Sequence, residues 1–181
     1  IENQNRKIIQ VLILVDNKEM SKIIEKKVDK FNRKFNISYV NKKAIEKKFS
    51  QSVKHQGIIA KCERLISKNF KEIFNFQQNK KLLGIALDGI TDPQNVGAIY
   101  RSSYLFNSSF ILKEEKNTPI ESNSLLSASS GTYDKITTYK VKNINNAIVK
   151  FKEMGWWIIG LDVEGNKEIK DVISCPYGFK K

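Results

Sequence analysis

Histidine occurs once in 181 residues and cysteine twice, and these scarcities exclude much chemistry. Cys62 and Cys175 lie far apart and form no CxxC pair, so a zinc site of the usual Cys/His kind is ruled out. A Ser-His-Asp enzyme would have to use His55 as its base. A chain without a cysteine framework is expected in a reducing, cytoplasmic setting. Long apolar runs are missing too. Residues 8–15, interrupted by Gln10, and 155–161 are the longest. Both fall far short of the ~20 residues of a membrane helix, so no membrane partner is expected. The basic start ahead of residues 8–15 imitates a secretory signal. It runs into Asp16-Asn17-Lys18-Glu19 instead of a small-residue cleavage site. Neither GxGxxG nor GxxxxGK[ST] occurs, which removes support for a dinucleotide fold or a P-loop. Arginine is scarce as well, with 4 residues against 28 lysines.

What is present is basic and alternating. The net charge is +13, and isoleucine (24) and asparagine (17) are abundant, the bias an AT-rich coding sequence produces. The distribution of charge is more telling than its total. Residues 1–78 carry 18 basic and 8 acidic residues, whereas 79–181 carry 14 and 11. A basic first part beside a nearly balanced second part points to a polyanion-docking element joined to something else.

Apolar runs read as strands at 8–15, 37–40, 57–62, 82–90, 109–112, 136–141 and 156–161. Helical spacing of apolar residues predicts helices at 20–35, 42–49, 67–76, 93–106, 120–130 and 144–154. The polar stretch 75–81 is the linker candidate. Strands alternating with helices predict an α/β protein with a largely parallel sheet.

The strongest local signal is residues 87–103, LDGITDPQNVGAIYRSS. A strand runs into a polar turn and then a helix. Asp92 suits the N-cap and Pro93 the first helical position. Gly97 sits inside the helix, at ~1 kcal/mol relative to alanine, which points to a backbone or ligand in close approach. Arg101 is the only arginine after Arg64, and its retention in a lysine-rich chain hints at a need for a planar fork. The carboxyl end of a strand in an α/β sheet is where ligands bind. The same residues would also serve as a capped helix with a packing glycine and a surface arginine. Residues 127–131 (SASSG) lack the G-x-S-x-G spacing of a nucleophile elbow. His55 reads as a turn residue, and one of Trp156 and Trp157 as a core side chain.

Residues 87–103 resemble the first motif of the SpoU-type RNA 2′-O-ribose methyltransferases, in the knotted SPOUT superfamily. Residues 55–60 (HQGIIA), 127–132 (SASSGT) and 150–162 (KFKEMGWWIIGLD) resemble further stretches of that family in the same order. Within the family the chain is most similar to the 23S rRNA guanosine 2′-O-methyltransferase branch. The resemblance implies an α/β fold of two parts. Residues 1–78 would form a small L30e-like RNA-binding domain, and 79–181 the N-terminal part of a mainly parallel-sheet α/β-knot catalytic domain. It implies Arg101 and Asn95 as catalytic residues, and Gly97, His55 and Arg64 as substrate contacts, with Tyr39 a further candidate. Gly160, Leu161 and Asp162 would form one wall of an S-adenosylmethionine site. It implies RNA, above all ribosomal RNA, as substrate, and a homodimer in the complete protein. The family's G-S-E-G-type loop and S-L-N-type segment have no counterpart here, and the chain begins at Ile1. The expectation is therefore a chain truncated at both ends, without the knot-forming segment and without a complete cofactor site. The alternative function is a non-catalytic RNA-binding fragment or a degenerate methyltransferase.

Overall fold

Val11, Leu12 and Ile13 are all buried, so the strand they occupy is covered on both faces. In a computed structural model, which describes residues 1–3, 5–32, 34–49, 55–75, 82–165 and 168, this strand is β1 (Ile8–Leu14). It is central in a three-stranded sheet ordered β2-β1-β3. The helix α1 (Lys18–Lys30) crosses over to β2 (Asn36–Val40), which pairs parallel with β1. A second helix, α2 (Lys42–Lys48), leads back to β3 (Ile58–Cys62), which runs antiparallel on the other side. Ile24 of α1 packs with Ile8, Val11 and Ile13.

The second sheet has the order β4-β7-β6-β5 and is parallel throughout. Its strands are β4 (Lys68–Asn69), β5 (Gly84–Leu87), β6 (Phe110–Glu114) and β7 (Thr137–Val141). Right after β4 comes a 3₁₀ turn, Phe70–Asn75. Between the longer strands run α3 (Pro93–Leu105), α4 (Asn123–Ala128) and a 3₁₀ turn, Thr132–Asp134. After β7 comes α5 (Ile144–Glu153).

Alternation along β6 sorts the core. Ile111 faces α3 and α4, packing with Leu87, Val96, Tyr100, Leu125 and Tyr133. Phe110 and Leu112 face the other way, packing with Ile73, Tyr139, Ile144 and Phe151. Each of the five α-helices among the described residues starts with a side-chain cap from Asn17, Asn41, Asp92, Ser122 or Asn143. Part of the asparagine excess thus closes helix N-termini.

Two elements differ from the sequence expectation. Of the helix expected at 67–76, residues 67–75 do not form an α-helix, and Phe76 lies outside the described residues. Lys68 and Asn69 pair with Tyr139 and Lys140, and the following turn is 3₁₀. Phe70 and Ile73, three apart, fit a 3₁₀ turn as well as an α-helix, and burial on the second sheet decides it. Residues 68–75 therefore pack on the second sheet, although the division at 78/79 groups them with the first. The linker candidate 75–81 lies outside the described residues except for Asn75.

The strand expected at 156–161 is not formed. Trp156 packs against Phe110 and Phe151, at centroid distances of 5.7 and 4.9 Å, as one tryptophan was expected to do. Beyond it the segment leaves the sheet, with Trp157 61% and Leu161 80% exposed. No strand among the described residues offers these backbone groups a ladder partner, so the apolar run does not become a strand.

Candidate functional site

The site candidate begins at the carboxyl end of β5. Asp92 accepts a hydrogen bond from the Asn95 N–H at 2.8 Å, and Pro93 opens α3, as the sequence predicts. Val96, Gly97, Tyr100 and Ser103 face inward. Asn95 and Arg101 are exposed, and neither side chain has a partner among the described residues. Six positions separate them, so they sit about 9 Å apart along the axis and about 120° apart around it. They flank the solvent face of α3 and do not share a stripe.

Gly97 has a different role from the one expected. A Cβ placed there would lie 2.5 Å from the Leu125 carbonyl oxygen, 2.7 Å from Ala128 Cβ and 3.0 Å from the Ser129 nitrogen. The close approach is that of α4, not of a nucleotide. The two stretches 87–103 and 127–132 thus pack on each other. Just past α4, Ser130 and Gly131 both take positive φ, 50° and 82°, which turns the chain toward Tyr133. Tyr133 packs on Tyr100 in a tilted arrangement, centroids 4.7 Å apart, and the Tyr100 hydroxyl shares a 2.7 Å hydrogen bond with Thr138. Burial pushes the Tyr100 phenol well above its ordinary pKa and Tyr133 up to about 12.

The other expected residues are scattered. His55 Nδ1 accepts the Gly57 N–H at 3.2 Å, a satisfied turn ahead of β3. Arg64 is exposed after β3, and Tyr39 lies on β2 in a surface network, donating to Glu25 at 2.7 Å. Gly160, Leu161 and Asp162 are exposed, and nothing lies within 4 Å of a Cβ placed on Gly160. Residues 166–167 and 169–181, which follow them in the chain, lie outside the described residues. An open groove of about 1170 Å³ runs between α1 and residues 131–138, lined by Ile23, Lys27, Tyr104 and Lys135 among others. It contains none of the expected site residues. No cluster of three metal-ligating side chains occurs among the described residues, and no helix among them is long and apolar enough to cross a membrane.

Among the described residues, two buried cations escape the sequence reading. Arg6, just ahead of β1, is 5% exposed. It donates to Glu121 Oε1 at 2.5 Å, to both oxygens of Asp134 at 2.5 and 3.2 Å, and to the Glu63 carbonyl at 2.9 Å. The two carboxylates stand on either side of α4, so this cluster ties the first sheet's leading edge to the second layer. Burial works against the charge, but the bonds to Asp134 and Glu121 outweigh it and hold the guanidinium's pKa above its usual range. Arg6 is one of four arginines, so the scarcity that draws attention to Arg101 marks Arg6 equally. The second buried cation is Lys113 in β6, 7% exposed.

Comparison with known proteins bears on these residues. The family model described as SpoU rRNA Methylase family matches residues 82–179. An uncharacterized tRNA/rRNA methyltransferase of Borreliella burgdorferi is 30% identical over 119 residues, 61% of this chain and 52% of that protein. A 23S rRNA (guanosine-2′-O-)-methyltransferase of Ralstonia nicotianae is 26% identical over 117 residues, covering 64% and 47%. The chain spans about half the length of the curated relatives it matches. The SpoU methyltransferase AviRb of Streptomyces viridochromogenes, solved with AdoMet, superposes with a TM-score of 0.61. It is 12% identical, over 83% of this chain and 54% of that one, so it shows the fold.

Proposed function

The chain belongs to the SpoU rRNA methylase family, and from that membership we propose that it methylates a ribose 2′-hydroxyl of RNA, with ribosomal RNA as substrate. The observation that carries this reading is α3. A capped helix at the carboxyl end of a parallel strand presents an unpaired asparagine and an unpaired arginine to solvent, in the segment that matches the family. S-adenosylmethionine would supply the methyl group. The roles of Arg101 and Asn95 lie on the RNA side.

Arg101 is a donor on this reading. With a pKa above ~12 a guanidinium does not serve as a base near neutrality. Its planar fork suits a phosphate oxygen and the oxygen that gains negative charge as the hydroxyl reacts. Asn95 positions the ribose or a neighbouring backbone group. Residues 1–78, with their excess of ten positive charges, hold the RNA through phosphate contacts, with Arg64 and Tyr39 as the more selective groups. The reading places the protein in the cytoplasm and makes the complete protein a homodimer.

The test is single-turnover transfer with labelled cofactor. Arg101→Lys keeps the charge and loses the fork, so the rate should fall ~10²–10³-fold, the effect of losing one transition-state donor. Arg101→Ala should fall at least as far, with cofactor affinity little changed because Arg101 faces the RNA side. A folded Arg101→Ala protein that transfers methyl at the wild-type rate would remove Arg101 from the mechanism. A second reading, RNA binding without transfer, is favoured by the exposure of Gly160–Asp162. It predicts that wild type and variants alike bind RNA and transfer nothing.

A further inference from the structure

We propose that the groove between α1 and residues 131–138 holds a single-stranded segment of the RNA, with Tyr104 as the ring a base stacks on and Lys135 as a phosphate contact. The proposal rests on the RNA reading above. The groove, about 1170 Å³, takes one wall from α1 and the other from residues 131–138 and the end of α3. Arg6, just ahead of β1, donates to Asp134 at 2.5 and 3.2 Å and so ties the second wall to the first sheet.

The lining suits a polyanion that also carries flat apolar groups. Ile66 is 93% exposed, and Ile23 and Tyr104 are each 42% exposed, apolar surface that the fold leaves in water. Among them stand Lys27, Lys68 and Lys135, against the carboxylates of Glu2 and Asp134. Both carboxylates are already held, Glu2 by Lys27 at 2.6 Å and Asp134 by Arg6. Lys27 first and Lys135 after it keep the Glu2 carboxyl below its ordinary range, so lysines of both walls act across one groove. Lys68 and Lys135 have no ion-pair partner among the described residues.

The Lys135 ammonium lies 4.9 Å from the centre of the Tyr104 ring. A ring beside a cation is what a single strand uses, a base on the ring and a phosphate on the charge. Arg101 precedes Tyr104 by three positions on α3, so the two side chains are neighbours on one flank of the helix. A strand stacked on Tyr104 therefore leads out of the groove to Arg101, the donor of the functional reading. The groove and the exposed face of α3 meet at this point.

The experiment titrates the full chain with a short single-stranded oligoadenylate and with a ribosomal RNA transcript, over a range of salt. Tyr104→Leu should weaken oligoadenylate binding about five- to a hundredfold, the share of one stacked base, with the salt slope unchanged. Tyr104→Phe keeps the ring and should bind as wild type does. Lys135→Gln should lower the log–log salt slope by ~0.7, one phosphate contact on a single strand. Phe106→Leu, at a position 76% exposed at the end of the same helix and outside the groove, should change neither. Folded Tyr104→Leu and Lys135→Gln proteins with wild-type affinity and slope would overturn the inference and leave the RNA reading intact. So would wild-type protein that binds the transcript but not the oligoadenylate. An equal loss in Phe106→Leu would also overturn it, because exposed rings in general would then hold the RNA. Self-association that Tyr104→Leu abolishes without touching RNA binding, read by sedimentation, would assign the groove to a second copy and overturn it too. Wild-type protein that binds neither RNA would overturn the functional reading and this inference together.

Discussion

At the scale of single residues, the side chains that hold the molecule together are not the ones the sequence makes conspicuous. Arg6 meets Glu121 and Asp134 across 115 and 128 positions of chain, a separation that no local pattern encodes. Removing it leaves a nearly buried carboxylate on Glu121, 10% exposed, and a partly exposed one on Asp134, 31%. Arg6→Ala should lower the unfolding free energy by about 3 kcal/mol, toward the low end for a buried pair because Asp134 still reaches water. Urea denaturation measures this, and a loss below ~1 kcal/mol would place the cluster among surface pairs. Gly97 was legible as a position of close approach, but only packing reveals what approaches. Gly97→Ala gains ~1 kcal/mol in helix propensity and meets backbone atoms of α4, an overpacking that costs about 1–3 kcal/mol. The expected outcome is net destabilisation in the same denaturation assay. A ligand-facing glycine predicts a gain of ~1 kcal/mol in stability and weakened RNA binding.

At the scale of elements, what was legible was what is local. The start of α3 follows from Asp92 and Pro93 because a cap is satisfied within four residues. The strand expected at 156–161 failed for the opposite reason, since a strand exists only where another offers it a ladder, and that lies outside the segment's own sequence. Residues 67–76 failed because a three-residue apolar spacing does not separate a 3₁₀ turn from an α-helix. The packing of α3 on the 132–134 turn through Tyr100 and Tyr133 has an alkaline signature. Below pH 10 both phenols are neutral folded and unfolded. Unfolded tyrosine ionises near 10, whereas folded Tyr133 keeps its proton to about 12 and Tyr100 beyond that. Between pH 10 and 12 the native state therefore binds more protons, and stability falls as pH rises, by ~1.4 kcal/mol per unit for each tyrosine. The depressed Lys113 works the other way, because there the unfolded state holds the proton longer. Urea midpoints between pH 8 and 11 should hold level to about 10 and then drop, and Tyr100→Phe should drop less steeply. An equally steep fall in the variant would mean that Tyr100 is not the buried phenol described.

At the scale of the whole molecule, a small mixed sheet and a parallel sheet meet at Arg6, and the charge is heaviest on the first. That asymmetry was readable from the sequence, as were the parallel architecture and the helix that carries Asn95 and Arg101. The joint between the layers was not, because it is made by partners far apart in the chain. The cofactor wall was expected from resemblance alone, and Gly160, Leu161 and Asp162 are exposed. The proposed function is tested by chemistry at the ribose. The native protein, incubated with ribosomal RNA and S-adenosylmethionine carrying a labelled methyl group, should leave its label in a dinucleotide that resists alkaline hydrolysis. A methylated 2′-oxygen cannot attack the adjacent phosphate, so resistance identifies the ribose as the acceptor. Label released as mononucleotide would place the methyl on a base, and no label from folded, RNA-binding protein would leave binding without transfer. Either result would contradict the account.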